Sequence, residues 1–356
     1  MRPFWCYHGN MRRLCCALLL VLAALAGGVA PAPAPAQDIV GIADQSPSMF
    51  RSPHFQRLDI HVSRLIVSWN AVRDNTFEVP FIDDWLRLAA ASGIEPLIAF
   101  NHARGCYDGK AIPKTHKCRL PSAKEYRQAF LHFRRRYPSV RVYSPWNEAN
   151  HRSQPTAERP DRAATYYNVV RKLCPGCKIV ACDVLDQPKM GRYLKAFLKR
   201  ANGKPRLWGL HNYQDTNNYT TSGTREMLRS VKGSIWLTET GGIVKFGKRR
   251  PFNPQRAAKA TKFMFKLAAS SRRVKRLYIY QWLGQLPEAR FDAGLVSWEG
   301  VPRPAYDVVA RHLGRPGANP EPPPVPPPPP PDPEPTPEPT PEPTPDPFCV
   351  PTMTCP

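Results

Sequence analysis

"VRVYSPWNEANH", residues 140–151, begins as a strand and ends as something else. Val140, Val142 and Tyr143 are β-branched or aromatic and suit a pleated, buried segment. Pro145 then stops the ladder, and Trp146, Asn147, Glu148, Asn150 and His151 follow at once. A carboxylate and two amides directly behind a strand raise a question. Do other strands of this chain end in residues of the same kind, at the same rim?

Working outward in both directions, short apolar strand-like runs recur at 39–43, 64–69, 96–100, 140–143, 178–182, 207–210, 234–238 and 276–281. Helical patterns lie between them at 82–91, 123–136, 162–173, 190–200, 225–231 and 254–270, with a last one at 304–313. In the second helix Ala123, Tyr126, Ala129, Phe130 and Phe133 fall on one face at a 3.6-residue period. Pro121-Ser122 and Asn253-Pro254 are helix-start signals. Strands alternating with helices predict an α/β chain folded as a single (β/α)8, or TIM, barrel. The competing fold is a doubly wound open sheet. It would usually carry a Gly-rich turn after the first strand, whereas the first strand here runs into Asp44-Gln45.

In a (β/α)8 barrel the C-terminal strand ends form the active face. Those ends supply Asp44 and Gln45, Trp69 and Asn70, Asn101 and His102, Asn147 and Glu148, Asp183, His211 and Tyr213, Glu239, and Gln281 and Trp282. Planar hydrogen-bonding groups suit hydroxyls, and indole faces suit pyranose rings. Glu148 ends the fourth strand. Glu239 ends the seventh, in "LTETGG", where Gly241 and Gly242 permit close approach. Two carboxyls from different strands can converge on one glycosidic bond. One protonates the leaving oxygen, and the other attacks the anomeric carbon or activates water. Pro145 and Trp146 are expected to pack the barrel side of this strand end, in a site dry enough for Glu148 to hold its proton at neutral pH. His151 reads as a solvated or capping loop residue.

With these residues in place, residues 38–315 resemble a clan A glycoside hydrolase, a group of retaining (β/α)8 enzymes. The resemblance implies that Glu148, in Asn147-Glu148, is the acid/base and that Asn147 holds the sugar 2-hydroxyl. It implies that Glu239 is the nucleophile. It also places Arg64 of "SRLIVSW" near that nucleophile, sets Tyr213 of His211-Asn212-Tyr213 against it, and makes Trp282 of "YQWLG" a floor for the sugar. Trp69, Asn101, His102 and His211 complete the expected substrate-binding set. No metal and no cofactor are expected. The loops, including the Cys106–Cys118 segment, place no subfamily.

Not all 356 residues belong to this body. A basic head at Arg12-Arg13, an apolar run to Ala26 and Ala-Pro repeats describe a signal peptide over 1–37. Met11 is a possible start, and an uncleaved anchor is the alternative. Residues 319–347 are a Pro-rich linker, expected to be extended, and 348–356 form a short tail with Cys349 and Cys355. The remaining 38–318 is the size of one barrel. It carries 48 basic against 22 acidic side chains. The basic residues are spread along the chain without a nucleic-acid-binding motif, so nucleic acid is not an expected partner. Arginine-rich coding and acidic wall polymers are the two explanations of the charge. The expected partner is a poly- or oligosaccharide, met as a secreted or envelope monomer without a membrane span.

Export makes disulfides plausible. Cys174-Pro175-Gly176-Cys177 follows a helix, whereas a redox pair wants its first thiol at a helix N-terminus. A structural bridge is therefore expected, with Cys182 as a competing partner. The alternative to an enzyme is a non-catalytic carbohydrate-binding barrel on the cell wall. A basic scaffold for acidic polymers is a third reading.

Overall fold

The computed structural model describes residues 39–106 and 118–318. The readings of 1–37, 319–347 and 348–356 lie outside the described residues, as does most of the Cys106–Cys118 loop. The strands are β1 (Ile39–Ala43), β2 (Val62–Ser68), β3 (Glu95–Asn101), β4 (Val142–Ser144), β5 (Lys178–Ile179), β6 (Asp183–Leu185), β7 (Leu207–His211), β8 (Ser234–Thr240), β9 (Lys245–Phe246), β10 (Val274–Tyr280) and β11 (Phe291–Asp292). Nine of them form one sheet in the order β5-β4-β3-β2-β1-β10-β8-β7-β6, and every pairing within it is parallel. The two end members are successive pieces of one segment, the first inside the expected fifth strand at 178–182 and the second just beyond it. Between them the Val180 amide donates to the Tyr143 carbonyl and the Ala181 amide to the Leu207 carbonyl, each at 2.9 Å. The segment thus bonds to β4 on one side and β7 on the other, which closes the sheet into the (β/α)8 barrel.

Side-chain alternation divides the core into two layers. Ala43, Val62, Leu97, Val142, Val180, Trp236 and Tyr278 fill the barrel interior. A larger layer between strands and helices holds Leu65, Val67, Phe100, Phe130, Tyr143 and Trp208. On β2, Val62 points in while Leu65 and Val67 point out, so Arg64 faces the interior. One departure from this alternation matters. Gly209 and His211 of β7 pair with Trp236 and Glu239 of β8, and Leu277 and Ile279 of β10 pair with Leu237 and Thr240. Counted against either neighbour, β8 holds one extra residue. That β-bulge turns Glu239 inward beside Thr238 rather than out to the helices.

The helix starts read from sequence are present. Ser122 and Glu125 form a reciprocal capping box on the helix Ala123–Arg136, with bonds of 3.2 and 2.7 Å. Asn253 Oδ1 accepts from the Arg256 amide at 2.8 Å on the helix Pro254–Ala269. The buried face of the first is Tyr126, Ala129, Phe130 and Phe133. Ala123 is exposed, because it opens the helix before the helix reaches the sheet. Trp146 also departs from expectation. It lies on the helix side of the sheet, stacked on Tyr166 at 4.9 Å with its Nε1 donating to Gln154 Oε1 at 3.1 Å. Its apolar ring is covered by the helix Pro160–Leu173, and the barrel interior stays with the smaller Val142 and Val180.

Cys106 bonds Cys118, and Cys174 bonds Cys177 just after the helix Pro160–Leu173. Cys182 is a buried thiol, so the competing pairing does not occur. Burial first, then the Asp183 carboxylate, pushes that thiol well above the usual range. Among the described residues no helix is long and apolar enough to cross a membrane.

Candidate active site

Arg64 lies at the centre of the barrel mouth, fully buried. Its Nη1 donates to Glu239 Oε2 at 2.8 Å, and its Nη2 reaches Asn147 Oδ1 at 2.5 Å and Asp183 Oδ2 at 3.2 Å. Burial alone would lower the guanidinium pKa. Asp183 and Glu239 more than offset that and raise it. Asp183 also accepts from Thr238 Oγ1 at 2.7 Å. It fits there because residue 209 is glycine: a Cβ at that position would lie 1.6 Å from Asp183 Oδ1. The second, fourth, fifth and seventh strands therefore meet in one hydrogen-bonded knot. Arg64→Met is expected to leave two buried carboxylates without their cation and to cost about 3–5 kcal/mol of stability. Urea unfolding measures this, and a midpoint within error of the parent would show that the knot does not hold the barrel mouth together.

Glu148 and Glu239 face each other above the knot. One oxygen of each carboxylate and a ring nitrogen of His211 all lie within 4.8 Å of one another. Glu148 leaves β4 with φ of +48°, a left-handed conformation uncommon outside glycine and often met at functional sites. Its neighbours are pinned: Asn147 N donates to Phe100 O at 2.6 Å, and Ala149 N to Asp183 O at 2.8 Å. The turn between them aims the carboxylate across the mouth.

The surroundings of the two carboxylates differ. Tyr213 Oη donates to Glu239 Oε1 at 3.1 Å, so Glu239 is held on both oxygens, by Arg64 and by Tyr213. Burial and the Glu239 charge push the Tyr213 phenol well up, which keeps it a proton donor. Glu148 faces two histidines, with His211 Nδ1 3.3 Å from Oε1 and His151 Nδ1 3.7 Å from Oε2. His211 Nε2 lies 3.4 Å from Arg64 Nη2. A guanidinium only donates, so a neutral His211 must carry its proton on Nδ1, toward Glu148. Burial opposes charge on both members of the pair. The His211 hydrogen bond nevertheless holds Glu148 below the usual carboxylate range, and Glu239 and Glu148 raise His211. This corrects the expectation of a Glu148 that keeps its proton through dryness alone. Glu148 Oε1 instead accepts from His211 Nδ1 at 3.3 Å.

The other expected residues divide into two groups. Asn101 ends β3, and its Oδ1 is buried without a hydrogen-bond partner among the described residues. His102 is half-buried. Its Nδ1 donates to Ala103 O at 2.9 Å, and burial lowers its pKa although Glu148 acts on it from the other direction. Neither tryptophan is brought to the pair. Trp69 is 7% exposed, and the Arg73 guanidinium sits 4.6 Å over its ring. Trp282 is 2% exposed, edge-on to Phe55 at 5.5 Å in the outer core. Asp44 draws it there, accepting from the Trp282 and Leu283 amides at 2.8 and 3.0 Å.

The aromatic residue that the eighth strand ends with on the barrel-interior side is Tyr280, which the sequence reading passed over. Burial and then the Glu239, Asp44 and Glu148 charges raise its phenol. Its signal was available, since Tyr278 is interior and the next inward position on a strand is two residues on. His151 was read as a loop residue, yet it touches Glu148. Glu148, His211 and Glu239 offer three donor atoms at metal-ligand spacing, but Arg64 already places its positive charge on Glu239 Oε2.

Two carboxylates facing each other at the mouth of a (β/α)8 barrel can act on the two sides of one glycosidic bond. The sequence profile of the glycosyl hydrolase catalytic core matches residues 128–306, and the chain belongs to that family. No curated protein matches the chain in sequence. Among solved structures, a family 39 glycoside hydrolase from the gut symbiont Bacteroides cellulosilyticus WH2 superposes with a TM-score of 0.53 at 16% identity, over 80% of this chain and 65% of that one. A family 113 β-1,4-mannanase gives 0.54 at 13% identity, over 78% of this chain and 99% of that one. Xylanase 10B from Thermotoga maritima gives 0.54 at 10% identity, over 79% and 96%. At such identities the likeness is one of fold. Family and fold together bear out the resemblance to clan A.

Proposed function

We propose that this glycosidase is secreted and cleaves an oligo- or polysaccharide with retention of anomeric configuration, using Glu239 as nucleophile and Glu148 as acid/base. The observation that carries the reading is the asymmetry of the close pair. Retaining enzymes hold their carboxyls about 5–5.5 Å apart, and inverting ones leave room for a water, at about 6.5–9.5 Å. The approach within 4.8 Å supports the first. Glu239 is fixed by a cation and a phenol, as a carboxylate that must stay ionised and aimed requires. Glu148 has a histidine ring nitrogen 3.3 Å away and, among the described residues, no guanidinium bonded to it, which suits a group that alternates between acid and base.

In the first step Glu148, in its protonated form, gives its proton to the glycosidic oxygen as Glu239 attacks the anomeric carbon. The old carbon–oxygen bond breaks, the leaving sugar departs as an alcohol, and an ester to Glu239 remains. In the second, Glu148 takes a proton from water, the water oxygen attacks the same carbon, and the ester breaks. Two inversions give retention. Asn147, Asn101 and His102 are the groups placed to hold sugar hydroxyls. A polysaccharide panel followed by proton NMR of fresh product tests the reading: product should first appear in the substrate's own anomeric configuration, and the opposite anomer would remove the nucleophile role from Glu239.

We place this activity within residues 38–318, with 1–37 as the export signal and 319–356 as spacer and tail. The proline repeats cannot shape a site. Cutting after Ala318 is expected to leave kcat on a soluble aryl glycoside within about threefold. A loss beyond about tenfold, roughly 1.4 kcal/mol of barrier, would return the tail to the catalytic unit.

A further inference from the structure

Beside the catalytic pair, on the Glu148 side, opens a cavity of about 960 Å³. His151, which touches Glu148 Oε2 at 3.7 Å, forms its inner edge. Its walls come from the segments after the fourth, fifth, seventh and eighth strands. Among the described residues they present Arg152, Lys189, Arg192, Lys248, Arg249 and Arg290, all exposed, against a single lining carboxylate, Glu158. Among the described residues none of these six cations has an ion pair or a side-chain hydrogen bond, although arginines elsewhere on the surface take local partners, as Arg136 does with Asp83 and Arg159 with Asp161.

The cavity is built rather than incidental. Asn150 braces its floor, with its side chain bonded to the Leu185 amide and carbonyl at 2.8 and 3.0 Å and its own carbonyl accepting from Gln187 Nε2 at 2.5 Å. The far wall is the antiparallel ribbon of β9 and β11, which the sequence did not signal. On that ribbon Phe246 is 37% exposed, and the Arg290 guanidinium lies 5.4 Å over its ring. A partly open aromatic ring suits a pyranose face. A concave surface lined by one sign of charge concentrates ligands of the other sign.

We infer that this cleft is the binding site for anionic sugars, and that the substrate is an acidic polysaccharide whose carboxylate, sulfate or phosphate groups pair with the six cations. The inference rests on the catalytic reading above and adds the substrate class. Glu148 protonates the leaving oxygen, so the sugars lying in the cleft are those next to the bond on its leaving-group side. The charge of residues 38–318 then has a local use in addition to its overall excess.

The test uses the full chain carrying Glu239→Gln, to stop turnover, in affinity gels containing polygalacturonate, dextran sulfate or plain dextran. Retardation by either acidic polymer and not by dextran is expected. The stronger of the two tells carboxylate from sulfate recognition, and polyphosphate as competitor reports the phosphate case. Arg152, Arg192 and Arg249, changed together to Gln, should weaken that retardation at least about tenfold. The same number of exposed lysines changed elsewhere, Lys172, Lys199 and Lys266 to Gln, should leave it nearly unchanged. In the active protein the cleft variant should raise KM on an acidic polymer more than it lowers kcat.

Equal losses in the two triple variants would reduce the effect to overall charge and overturn the inference, as would retardation by dextran alone. Glu239-dependent hydrolysis confined to neutral glycosides would overturn it and leave the catalytic reading standing. Cleft-dependent binding of an acidic polymer, with no Glu239-dependent release of reducing ends, would sustain the cleft and overturn the catalytic reading.

Discussion

Replacing Glu239 with glutamine is expected to abolish turnover of every substrate, good leaving group or poor. The amide has nearly the carboxylate's shape but cannot form the glycosyl ester. Among the described residues no other carboxylate stands in its place: Asp183 lies below, tied to Arg64 and to Thr238. A loss of at least about 10⁴-fold in kcat is expected, roughly 5.5 kcal/mol of barrier. The fold should survive, because the amide oxygen can still accept from Arg64 Nη1 while the amide nitrogen donates to Tyr213 Oη. Circular dichroism and a melting curve close to the parent's would separate lost chemistry from lost structure. A folded variant retaining more than about 1% of the rate would remove Glu239 from the reaction.

Glu148→Ala should behave differently, because an acid is needed only where the leaving group is poor. Hydrolysis of an unactivated glycoside should fall by about 10²–10⁴-fold. Release of dinitrophenolate in the first turnover should fall by no more than about tenfold, since that group departs without a proton. The glycosyl ester then accumulates, as no base activates water. Azide needs no base, and it should restore turnover and give a glycosyl azide of the substrate's own anomeric configuration. Equal loss on both substrates, without rescue, would mean that Glu148 binds the sugar rather than moving a proton.

The contrast between these variants depends on how the two glutamates come to face each other, and the sequence alone reveals half of that. Alternating strands and helices give the barrel, and the barrel gives the rim. Asn147-Glu148 directly after Val142–Ser144 is legible because a polar cluster behind a buried strand has few other uses. Arg64 is legible too: it shares the inward parity of Val62, and parity is set by backbone geometry within one strand.

Glu239 is different. By alternation from the interior Trp236, Thr238 should point in and Glu239 out. Only pairing with β7 and β10 shows the extra residue in β8 that turns both inward. Register belongs to two strands at once, so no single-strand pattern contains it. The same holds for Trp282, whose place follows from Asp44 capturing its amide across 238 residues of chain, and for Tyr280, which ends the eighth strand on the barrel-interior side in its stead. It holds for the proton of Glu148 as well. Dryness raises a carboxyl's pKa and could be guessed from a buried strand end. The opposing pull of His211, from another strand, exists only once the barrel has closed. Thus the sequence determined which residues reach the rim, through local periodicity and strand order. The tertiary structure decided which of them meet and which partners hold each carboxylate, because hydrogen bonding and electrostatics act through space between residues far apart in the chain.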